Sequence, residues 1–302
     1  MASCSCGKPA VYYKAYEARL YCKGCFCRSI EKRVKKTITK YKLLQSNDTV
    51  AVGFSSGKDS TSLLHLLHEI TGPRRDMKLV AISIDEGITG YRDTSLKLAK
   101  QVCAGLGIDH KIVSFKEAYG KTLDDQIPKI EQGKACTYCG VARRQLLNWA
   151  AREAGATKLA VGHNLDDEVQ AILMNWIRGD LVRASRLGTR TEGNDPNFIP
   201  RIKPLRFIPE RETALYASLK GFPVHQGECP HATGIRFDIR DFLNQLETTY
   251  PGTKFSLIEG FEKIQPFLTT AVAKTTHPIT RCASCKEPSS QERCKACELW
   301  SY

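Results

Sequence analysis

The stretch VGFSSGKDS (residues 52–60) decides the fold, because it joins a buried strand to an apolar-striped helix through serine and glycine. The strand is TVAVGF (49–54) and the helix is DSTSLLHLLHEI (59–70). Backbone N–H groups in such a loop, together with the positive end of the helix dipole, form a cradle for an anion. The stretch is not a Walker A loop, because Asp59 follows Lys58 where that loop has a magnesium-binding Ser or Thr. It therefore predicts a phosphate site of another kind.

The same alternation of strand and helix continues along the chain. Short apolar runs are separated by helix-length segments with an apolar stripe, and this order predicts an α/β fold with a doubly wound parallel sheet. In such sheets, ligands bind at the carboxyl ends of the strands. The later elements that we expect are strand 78–84, helix 93–106, strand 110–115, helix 141–154, strand 158–163 and a helix from Asp166 onwards.

The short form S-x-G-K-D-S in this loop resembles the PP-loop of ATP pyrophosphatases. Those enzymes break ATP between the α- and β-phosphates and leave an adenylate on the substrate. The resemblance implies that Asp59 binds magnesium or orients the nucleotide. It also implies a phosphate-binding role for Gly53, Phe54, Ser55, Gly57, Lys58 and Ser60.

A second segment, ISIDEGITGYR (82–92), ends the next strand at the same edge of the sheet. In the PP-loop architecture, the backbone of Ser83 and Ile84 is expected to lie against the adenine of ATP. The segment therefore predicts the nucleoside half of the same binding site.

A third segment, VGHNLDDE (161–168), ends a later strand. We expect Gly162 to allow close approach of the nucleotide, with His163, Asp166 and Asp167 near the magnesium and the phosphates. Asp and His also occur as helix caps, and we expect one of the two aspartates to be only a cap.

Eight of the 13 cysteines form two groups near the termini of the chain. CSC is followed by CKGC at one end, and CASC is followed by CKAC at the other; such pairs of pairs are typical of Cys4 zinc ribbons. Cys27 lies close enough in sequence to compete for the first site. The predicted zinc ligands are Cys4, Cys6, Cys22, Cys25, Cys282, Cys285, Cys294 and Cys297.

The remaining cysteines include a possible three-thiolate set. Cys103 lies among apolar residues of a helix and is expected in the core. CTYCG supplies Cys136 and Cys139, and Cys229 lies in HQGECPHA (225–232) between a glycine and a proline. Three thiolates can hold zinc, can form a redox pair with a persulfide carrier, or can bind a [4Fe–4S] cluster with one iron open to sulfide. Two ordinary zinc patterns are already present, so persulfide and cluster remain the open alternatives.

The formal net charge is +13, and it falls to about +9 if each of two Cys4 zinc sites contributes −2. An excess of this size favours a polyanionic partner such as RNA or DNA. No apolar run approaches the roughly 18 to 20 residues that span a bilayer, and the N-terminal segment lacks the pattern of a secretory signal. We therefore expect a cytoplasmic protein with no membrane segment.

Several motifs together carry a more specific resemblance that covers essentially the whole chain. SSGKDS, SIDEGITGYR, CTYCG, GHNLDDE, RGD (178–180) and the paired terminal zinc motifs resemble the tRNA 2-thiouridine synthetases of the TtuA/NcsA group. This group is the archaeal and eukaryotic wobble-uridine thiolase branch of the TtcA superfamily. The family loop usually reads S-G-G-K-D-S, and Ser56 here replaces its first glycine. A serine that must adopt φ > 0 carries strain of about 1 kcal/mol, which puts nucleotide affinity in doubt.

The resemblance implies a tRNA uridine 2-sulfurtransferase that uses ATP and Mg²⁺. It favours wobble position 34, with position 54 of the T-loop as the alternative, and it implies tRNA as partner, a homodimer, and free sulfide or a ubiquitin-like thiocarboxylate protein as sulfur donor. Cys136, Cys139 and Cys229 match the family's three [4Fe–4S] ligands, and Arg143 is expected to reach the α-phosphate. The residues expected to act in catalysis are Lys58, Asp59, Cys136, Cys139, Asp166 and Cys229.

Two other functions fit parts of the sequence. An amide-forming ligase, like GMP and NAD synthetases, uses the same loop but has no need of the three cysteines and needs a glutaminase. A zinc-ribbon RNA-binding scaffold with a degenerate nucleotide site is suggested by Ser56. In the favoured reading, the chain divides into an N-terminal zinc ribbon (1–30), a linker helix (31–47), a PP-loop domain (48–270) and a C-terminal zinc ribbon (271–302).

Overall fold

The protein is seen in a computed structural model that describes residues 2–191, 195–273 and 278–300. Within these residues, a six-stranded sheet lies at the centre of the molecule, and a small antiparallel hairpin lies near each end of the chain. Two parts of the expected C-terminal ribbon (271–302), residues 274–277 and 301–302, lie outside the described residues.

The bounds of the elements set the frame for the site. The strands are β1 (Tyr12–Lys14), β2 (Arg19–Tyr21), β3 (Thr49–Gly53), β4 (Lys78–Asp85), β5 (Asp109–Ser114), β6 (Lys158–Ala160), β7 (Arg190–Thr191), β8 (Arg201–Ile202), β9 (Thr280–Arg281) and β10 (Pro288–Ser289). The helices are α1 (Lys23–Lys40), α2 (Lys58–Thr71), α3 (Arg92–Leu106), α4 (Phe115–Tyr119), α5 (Leu123–Gln126), α6 (Ala135–Glu153), α7 (Leu165–Ile177), α8 (Leu181–Ser185), α9 (Glu210–Lys220), α10 (Arg236–Thr249), α11 (Thr253–Val272) and α12 (Lys295–Trp300). None of the helices in the described ranges is both long and apolar enough to cross a membrane.

The central sheet has the strand order β5-β4-β3-β6-β8-β7. Its strands are parallel except for β7, which pairs antiparallel with β8 at one edge. The chain goes outward from β3 to β4 and β5, and then returns to the other side of β3 to form β6. The order of the strands reverses at β3, so a crevice forms at the carboxyl ends there, where such folds bind ligands. The predicted doubly wound α/β fold is confirmed.

The sheet is covered on both faces because side chains of a strand alternate between them. On β3, Val50 and Val52 join a core that contains Phe26 of α1 and Leu63 of α2. Ala51, between them, joins a second core with residues of α4, α6 and α12. Near-continuous apolar strands are therefore needed here, as the sequence TVAVGF indicates.

Two boundaries differ from the sequence-based expectation. The helix expected at 141–154 begins at Ala135, so Cys136 and Cys139 lie in its first turn and share one helix face instead of lying in a preceding loop. Helix α1 runs without interruption across residue 30, where we expected a ribbon to end and a linker to begin. The division of the chain into four segments stays a prediction.

The C-terminal segment is anchored in the second core by one aromatic side chain. Trp300 is fully buried, and its ring lies 4.8 Å from that of Phe115 and 5.0 Å from that of Tyr119, measured between centroids. These contacts join α12 to α4 through offset and edge-to-face packing, which is favourable for aromatic rings.

We predict that Trp300→Ala lowers the free energy of unfolding by about 3–5 kcal/mol, because it removes a large buried ring and leaves a cavity. Chemical denaturation of the purified variant measures the change. Trp176→Ala is the matched control: Trp176 is 43% exposed and its loss is expected to cost less than about 1 kcal/mol. Equal losses for the two variants would contradict the anchoring role.

Candidate active site

A cavity of about 500 Å³ opens at the carboxyl ends of β3, β4 and β6. Its wall combines the loop that follows β3 with residues of α6, of the segment after β6 and of the loop that carries Cys229. The predicted site residues that line it are Gly53, Phe54, Ser55, Asp59, Ser60, Ile84, Cys136, Cys139, Arg143, Gly162, Asp167 and Cys229.

Four predicted site residues lie elsewhere. Gly57 and Lys58 line a neighbouring cavity of about 760 Å³, which shares Ser55, Asp59 and Ser60 with the first. Ser83 and Asp166 line neither of these two cavities. The loop between the strand and the helix therefore separates two spaces and contributes to both.

The loop is closed by hydrogen bonds among its own serines. The Ser55 amide donates to Ser60 Oγ at 3.2 Å, and the two hydroxyl oxygens lie 3.0 Å apart. Ser60 Oγ also donates to the carbonyl of Gly57, the N-cap residue of α2, at 3.1 Å. These bonds place the loop over the amino end of a 14-residue helix, the end that attracts phosphate.

Ser56 has the left-handed backbone conformation that the family pattern fills with glycine. Its φ is +57°, and the residue is fully buried. Its hydroxyl donates to the carbonyl of Ser95 in α3 at 2.9 Å, and its own carbonyl accepts from the amide of His225 at 2.8 Å. The strain foreseen for a serine at φ > 0 is therefore present, and a hydrogen bond that the sequence could not reveal offsets part of it.

Lys58 and Asp59 form an ion pair that extends to α9. Lys58 Nζ lies 3.0 Å from an oxygen of Asp59 and 2.8 Å from an oxygen of Glu210. Burial opposes the charge of Lys58, but these two carboxylates outweigh it and raise the pKa of its ammonium group. The other oxygen of Asp59 accepts from the side-chain amide (Nδ2) of Asn164 at 3.2 Å and from the hydroxyl of Thr213. Sequence reasoning missed Glu210 and Thr213, since both follow the PP-loop by about 150 residues.

The end of β4 contributes one wall residue and one structural residue. Ile84 lines the cavity, and its carbonyl accepts from Arg92 Nε at 2.7 Å. The hydroxyl of Ser83 is turned away: it donates to the carbonyl of Phe54 at 2.6 Å and lies 2.8 Å from Nε2 of His110. An adenine contact at Ile84 stays a prediction, whereas the Ser83 side chain holds the end of β3 to β4 and β5.

Gly162 permits a close approach of protein backbone, and the expected approach of a nucleotide at this residue stays a prediction. A Cβ atom built at this position would lie 3.1 Å from the amide nitrogen of Ser60 and 3.2 Å from the carbonyl carbon of Asp59. These are backbone atoms of the first turn of α2, which cannot move aside as a flexible side chain can. Glycine is therefore required here by the PP-loop itself, before any nucleotide is considered.

Asp167 faces the cavity from the first turn of α7. The N-cap of this helix is Asn164, whose side chain accepts from the Asp167 amide at 3.0 Å while the Asp167 carboxylate accepts from the Asn164 amide at 3.1 Å. The other Asp167 oxygen pairs with Arg236 at 2.9 Å. Partial loss of water in the cavity and the positive charge of Lys203 lower the pKa of nearby His163.

Asp166 does not have the position that we expected for a catalytic carboxylate. It is buried, accepts from the backbone amide of Glu210 at 2.7 Å, and forms an ion pair with Lys254. It therefore caps α9 and holds α11, and it does not line the cavity. Of the two aspartates, Asp167 is the one that faces the cavity.

Cys136, Cys139 and Cys229 line the cavity together. Tetrahedral zinc with Zn–S bonds of about 2.3 Å requires sulfur atoms about 3.8 Å apart. These three thiols do not form such a set, because within the described chain only the two terminal cysteine groups have all their ligand atoms within 4.8 Å of one another. The wider spacing fits a cluster of several metal ions better than one ion.

Burial raises the pKa of Cys139 to about 12 despite nearby Arg143, so metal binding there releases a proton.

Arg143 lies between this thiol set and a buried carboxylate that sequence analysis did not single out. Glu86 is 3% exposed and lies 3.3 Å from Arg143 Nε and 2.7 Å from Arg92 Nε. Its position directly after the carboxyl end of β4 was the available signal. Glu86 and Cys139 both favour the charged form of Arg143 and raise its pKa against the effect of burial. Contact between Arg143 and an α-phosphate stays a prediction.

The two terminal cysteine groups have the geometry of zinc sites. The first contains Cys4, Cys6, Cys22 and Cys25, and the second contains Cys282, Cys285, Cys294 and Cys297. The sulfur atoms of Cys6 and Cys22 lie 3.5 Å apart, and those of Cys285 and Cys294 lie 3.6 Å apart, close to the spacing that zinc requires. Cys27 lies outside the first group and, like Cys103, is buried in the apolar core.

We predict that Ser56→Ala destabilises the protein more than Ser56→Gly, by about 1 kcal/mol. Both variants lose the hydrogen bond to Ser95, but only glycine relieves the left-handed strain. Chemical denaturation of both variants and of the parent protein measures the difference in stability. Calorimetric titration with a nonhydrolysable ATP analogue measures the nucleotide affinity of each. If alanine proves as stable as glycine, the strain at this position is negligible.

Comparison with known proteins agrees with this site. A family model described as PP-loop domain matches residues 27–225. Over 97% of its length, the chain is 38% identical to the tRNA 2-thiolation protein NcsA of Haloferax volcanii, of which it covers 96%. It is also 38% identical, over 97% of its length, to cytoplasmic tRNA 2-thiolation protein 1 of Drosophila virilis, of which it covers 85%.

A solved structure shares the whole architecture. The U34-tRNA thiolase NcsA from Methanococcus maripaludis, seen with its [4Fe–4S] cluster, superposes with a TM-score of 0.84 at 36% identity, and the match covers 98% of this chain and 94% of that one. The resemblance that the motifs indicated is thereby confirmed. This chain belongs to the PP-loop family of tRNA 2-thiolation proteins.

Proposed function

We propose that this protein is an ATP-dependent tRNA uridine 2-sulfurtransferase that acts on the wobble uridine at position 34. One observation carries the proposal: the PP-loop residues Ser55 and Asp59 and the three cysteines line one cavity. A loop that activates an oxygen by adenylation and a set of thiols that can hold sulfur meet there. Relatives named for tRNA 2-thiolation, and a related U34-tRNA thiolase, support the same reading.

The chemistry explains why both parts are needed. The C2 oxygen of uridine is a poor leaving group, so it first attacks the α-phosphorus of ATP, forms a new P–O bond and releases pyrophosphate. Sulfur then adds to C2, and the C2–O bond breaks as AMP departs with its electron pair. A site for this reaction needs phosphate donors, positive charge at the α-phosphate and a sulfur atom held nearby.

The residues around the PP-loop are suited to the first step. The amino end of α2, with Ser55 and Ser60, offers N–H and O–H donors to the phosphates. Lys58 is now held by Asp59 and Glu210, and it can exchange these carboxylates for phosphate oxygens. Asp59 and Asp167 are our candidates for Mg²⁺, because carboxylate oxygens are the protein ligands that Mg²⁺ prefers. Both of them line the cavity.

Cys136, Cys139 and Cys229 are the residues that would hold a [4Fe–4S] cluster. When bound through three cysteines, such a cluster supplies one iron with a free position for inorganic sulfide. Arg143 lies beside Cys139 and lines the same cavity, where its charge can stabilise the oxyanion at the α-phosphate and compensate the thiolates.

The remaining proposals concern the zinc ions, the tRNA, the sulfur donor and the oligomeric state. Each Cys4 group is proposed to hold one Zn²⁺, which would fix a short segment that has little core of its own. The basic chain is proposed to bind tRNA in the cytoplasm, as the name of the Drosophila relative indicates for that protein. Sulfide or a ubiquitin-like thiocarboxylate protein is the proposed sulfur donor, and a homodimer is the proposed assembly.

We predict that the two neighbouring aspartates respond differently to the same change. Asp167→Asn is expected to lower kcat at least tenfold, because this carboxylate faces the cavity, and to cost only about 1 kcal/mol of stability, because it weakens one helix cap and one exposed ion pair. Asp166→Asn is expected to cost about 3–5 kcal/mol of stability, because Lys254 then stays buried without its partner. Steady-state kinetics and chemical denaturation on both variants make the comparison. The reverse pattern would move the catalytic role to Asp166.

We predict about four irons and two zincs per chain after anaerobic purification, with ATP-dependent thiolation of tRNA. Cys139→Ala is expected to lose the iron, the associated visible absorption and the activity while it keeps the zinc. Cys103→Ala removes a buried thiol outside the cavity. This variant is expected to keep the iron, the visible absorption, the activity and the zinc.

Two outcomes would change the proposal. Fully active protein without iron would replace the cluster by a persulfide on one of the three cysteines. Nucleoside mass spectrometry of tRNA fragments locates the product, and 2-thiouridine at position 54 instead of 34 would contradict the proposed target.

A further inference from the structure

Five arginines line the cavity, and two of them have no acidic partner. Arg92 and Arg143 both pair with Glu86, and Arg236 pairs with Asp167. In the described chain, neither Arg144 nor Arg201 has a carboxylate oxygen within 4.0 Å of its guanidinium. The wall of the cavity therefore keeps two positive charges that the protein does not neutralise.

The side chain of one of these arginines contacts the backbone of the other. Arg201, at the start of β8, donates from its guanidinium to the backbone carbonyl of Arg144 in α6 at 3.0 Å. The Arg144 guanidinium folds back along its helix, and its Nη1 lies 3.3 Å from the position that a Cβ atom on Gly140 would take. Gly140 directly follows Cys139, so the pair borders the thiol side of the cavity.

The electrostatic surroundings show that the pair lacks an anion. Loss of water and the positive charges of Arg143 and Arg183 lower the pKa of Arg144, and loss of water together with Arg144 lowers that of Arg201 to about 10. Both groups stay charged at neutral pH, and a negative ligand would relieve their repulsion. Guanidinium groups are suited to phosphate because their N–H fork bonds two oxygens at once.

The position of the arginine pair favours a phosphate of the RNA backbone over a phosphate of ATP. The phosphates of ATP have their donors at the loop between β3 and α2, whereas Arg201 comes from β8, two strands away across β6. At about 4.8 Å between neighbouring strands, the backbones of β3 and β8 are about 10 Å apart. The uridine must place its C2 between the nucleotide and the thiols. A phosphodiester that flanks the uridine on the thiol side would therefore meet the arginine pair.

We propose that Arg144 and Arg201 together bind an RNA backbone phosphate next to the target uridine and so hold the flipped nucleotide in the cavity. This inference rests on the proposed function and adds a substrate-binding site to it. Enzymes that modify a base in structured RNA must hold the unstacked nucleotide by its backbone, and base identity does not enter such a contact.

The test uses the cluster-loaded protein and an unmodified tRNA transcript that carries U34. Arg144→Gln and Arg201→Gln are each expected to weaken tRNA binding about tenfold. Each should also reduce the slope of log Kd against log salt concentration by about 1, as expected for one lost phosphate contact. The KM for ATP, the iron content and the unfolding midpoint are expected to stay as in the parent protein.

Two further variants separate geometry from charge. Arg144→Lys keeps the charge but not the fork, and it is expected to recover only part of the lost affinity. Arg74→Gln removes the same charge at the opposite end of the sheet, before β4, where Arg74 pairs with Asp76 at 2.7 Å. This control is expected to change the Kd for tRNA less than twofold.

Three results would overturn the inference while the proposed function stands. The first is that the parent protein thiolates tRNA while Arg144→Gln and Arg201→Gln bind tRNA as tightly as the parent protein does. The second is a raised KM for ATP with an unchanged Kd for tRNA, which assigns the pair to the nucleotide. The third is loss of iron from the variants, which assigns it to the cluster. A parent protein that neither binds nor thiolates tRNA would instead refute the proposed function itself.

Discussion

The contact between Gly162 and the first turn of α2 is the constraint on which the site depends. It leaves about 3.1 Å between a would-be Cβ and the Ser60 nitrogen, so β6 and the PP-loop helix meet backbone to backbone. Because of this approach, Asn164 reaches Asp59 at 3.2 Å and Asp167 faces the same cavity as Ser60. A side chain at residue 162 would force these two backbones apart by a few tenths of an ångström.

Helix α9 then ties this site to the N-terminal segment. Its first turn supplies Glu210 to Lys58 and Thr213 to Asp59, on the side of the PP-loop. Glu212, between them in sequence, is fully buried and lies 2.9 Å from Arg33 Nη1. Successive positions of one helical turn therefore hold the loop and α1. The ion pair of Glu212 is the buried one, and leaving this carboxylate without its partner would be costly.

The motifs located most of the cavity wall before its shape was known. Residues of SSGKDS and CTYCG and the strand end at Ile84 contribute to it, because parallel strands and the helices that follow them bring their loops to one edge of the sheet. The errors concern side-chain direction. Asp166 has the right position in the chain, but its carboxylate is used by neighbouring elements. The expected contact between the Ser83 backbone and an adenine stays a prediction. Glu86, Glu210 and Arg201 were missed because their roles depend on contacts between distant segments.

The sequence by itself determined the fold class, the phosphate loop, the two terminal cysteine groups and the three remaining thiols, because each depends on residue type at a fixed local spacing. It also indicated that Ser56 would be strained if its φ were positive. Only the tertiary structure decided that this φ is +57° and that Ser95 accepts a hydrogen bond there. It alone showed which aspartate faces the cavity and which arginines lack a carboxylate. These are properties of contacts between segments far apart in sequence, and local spacing carries no information about them.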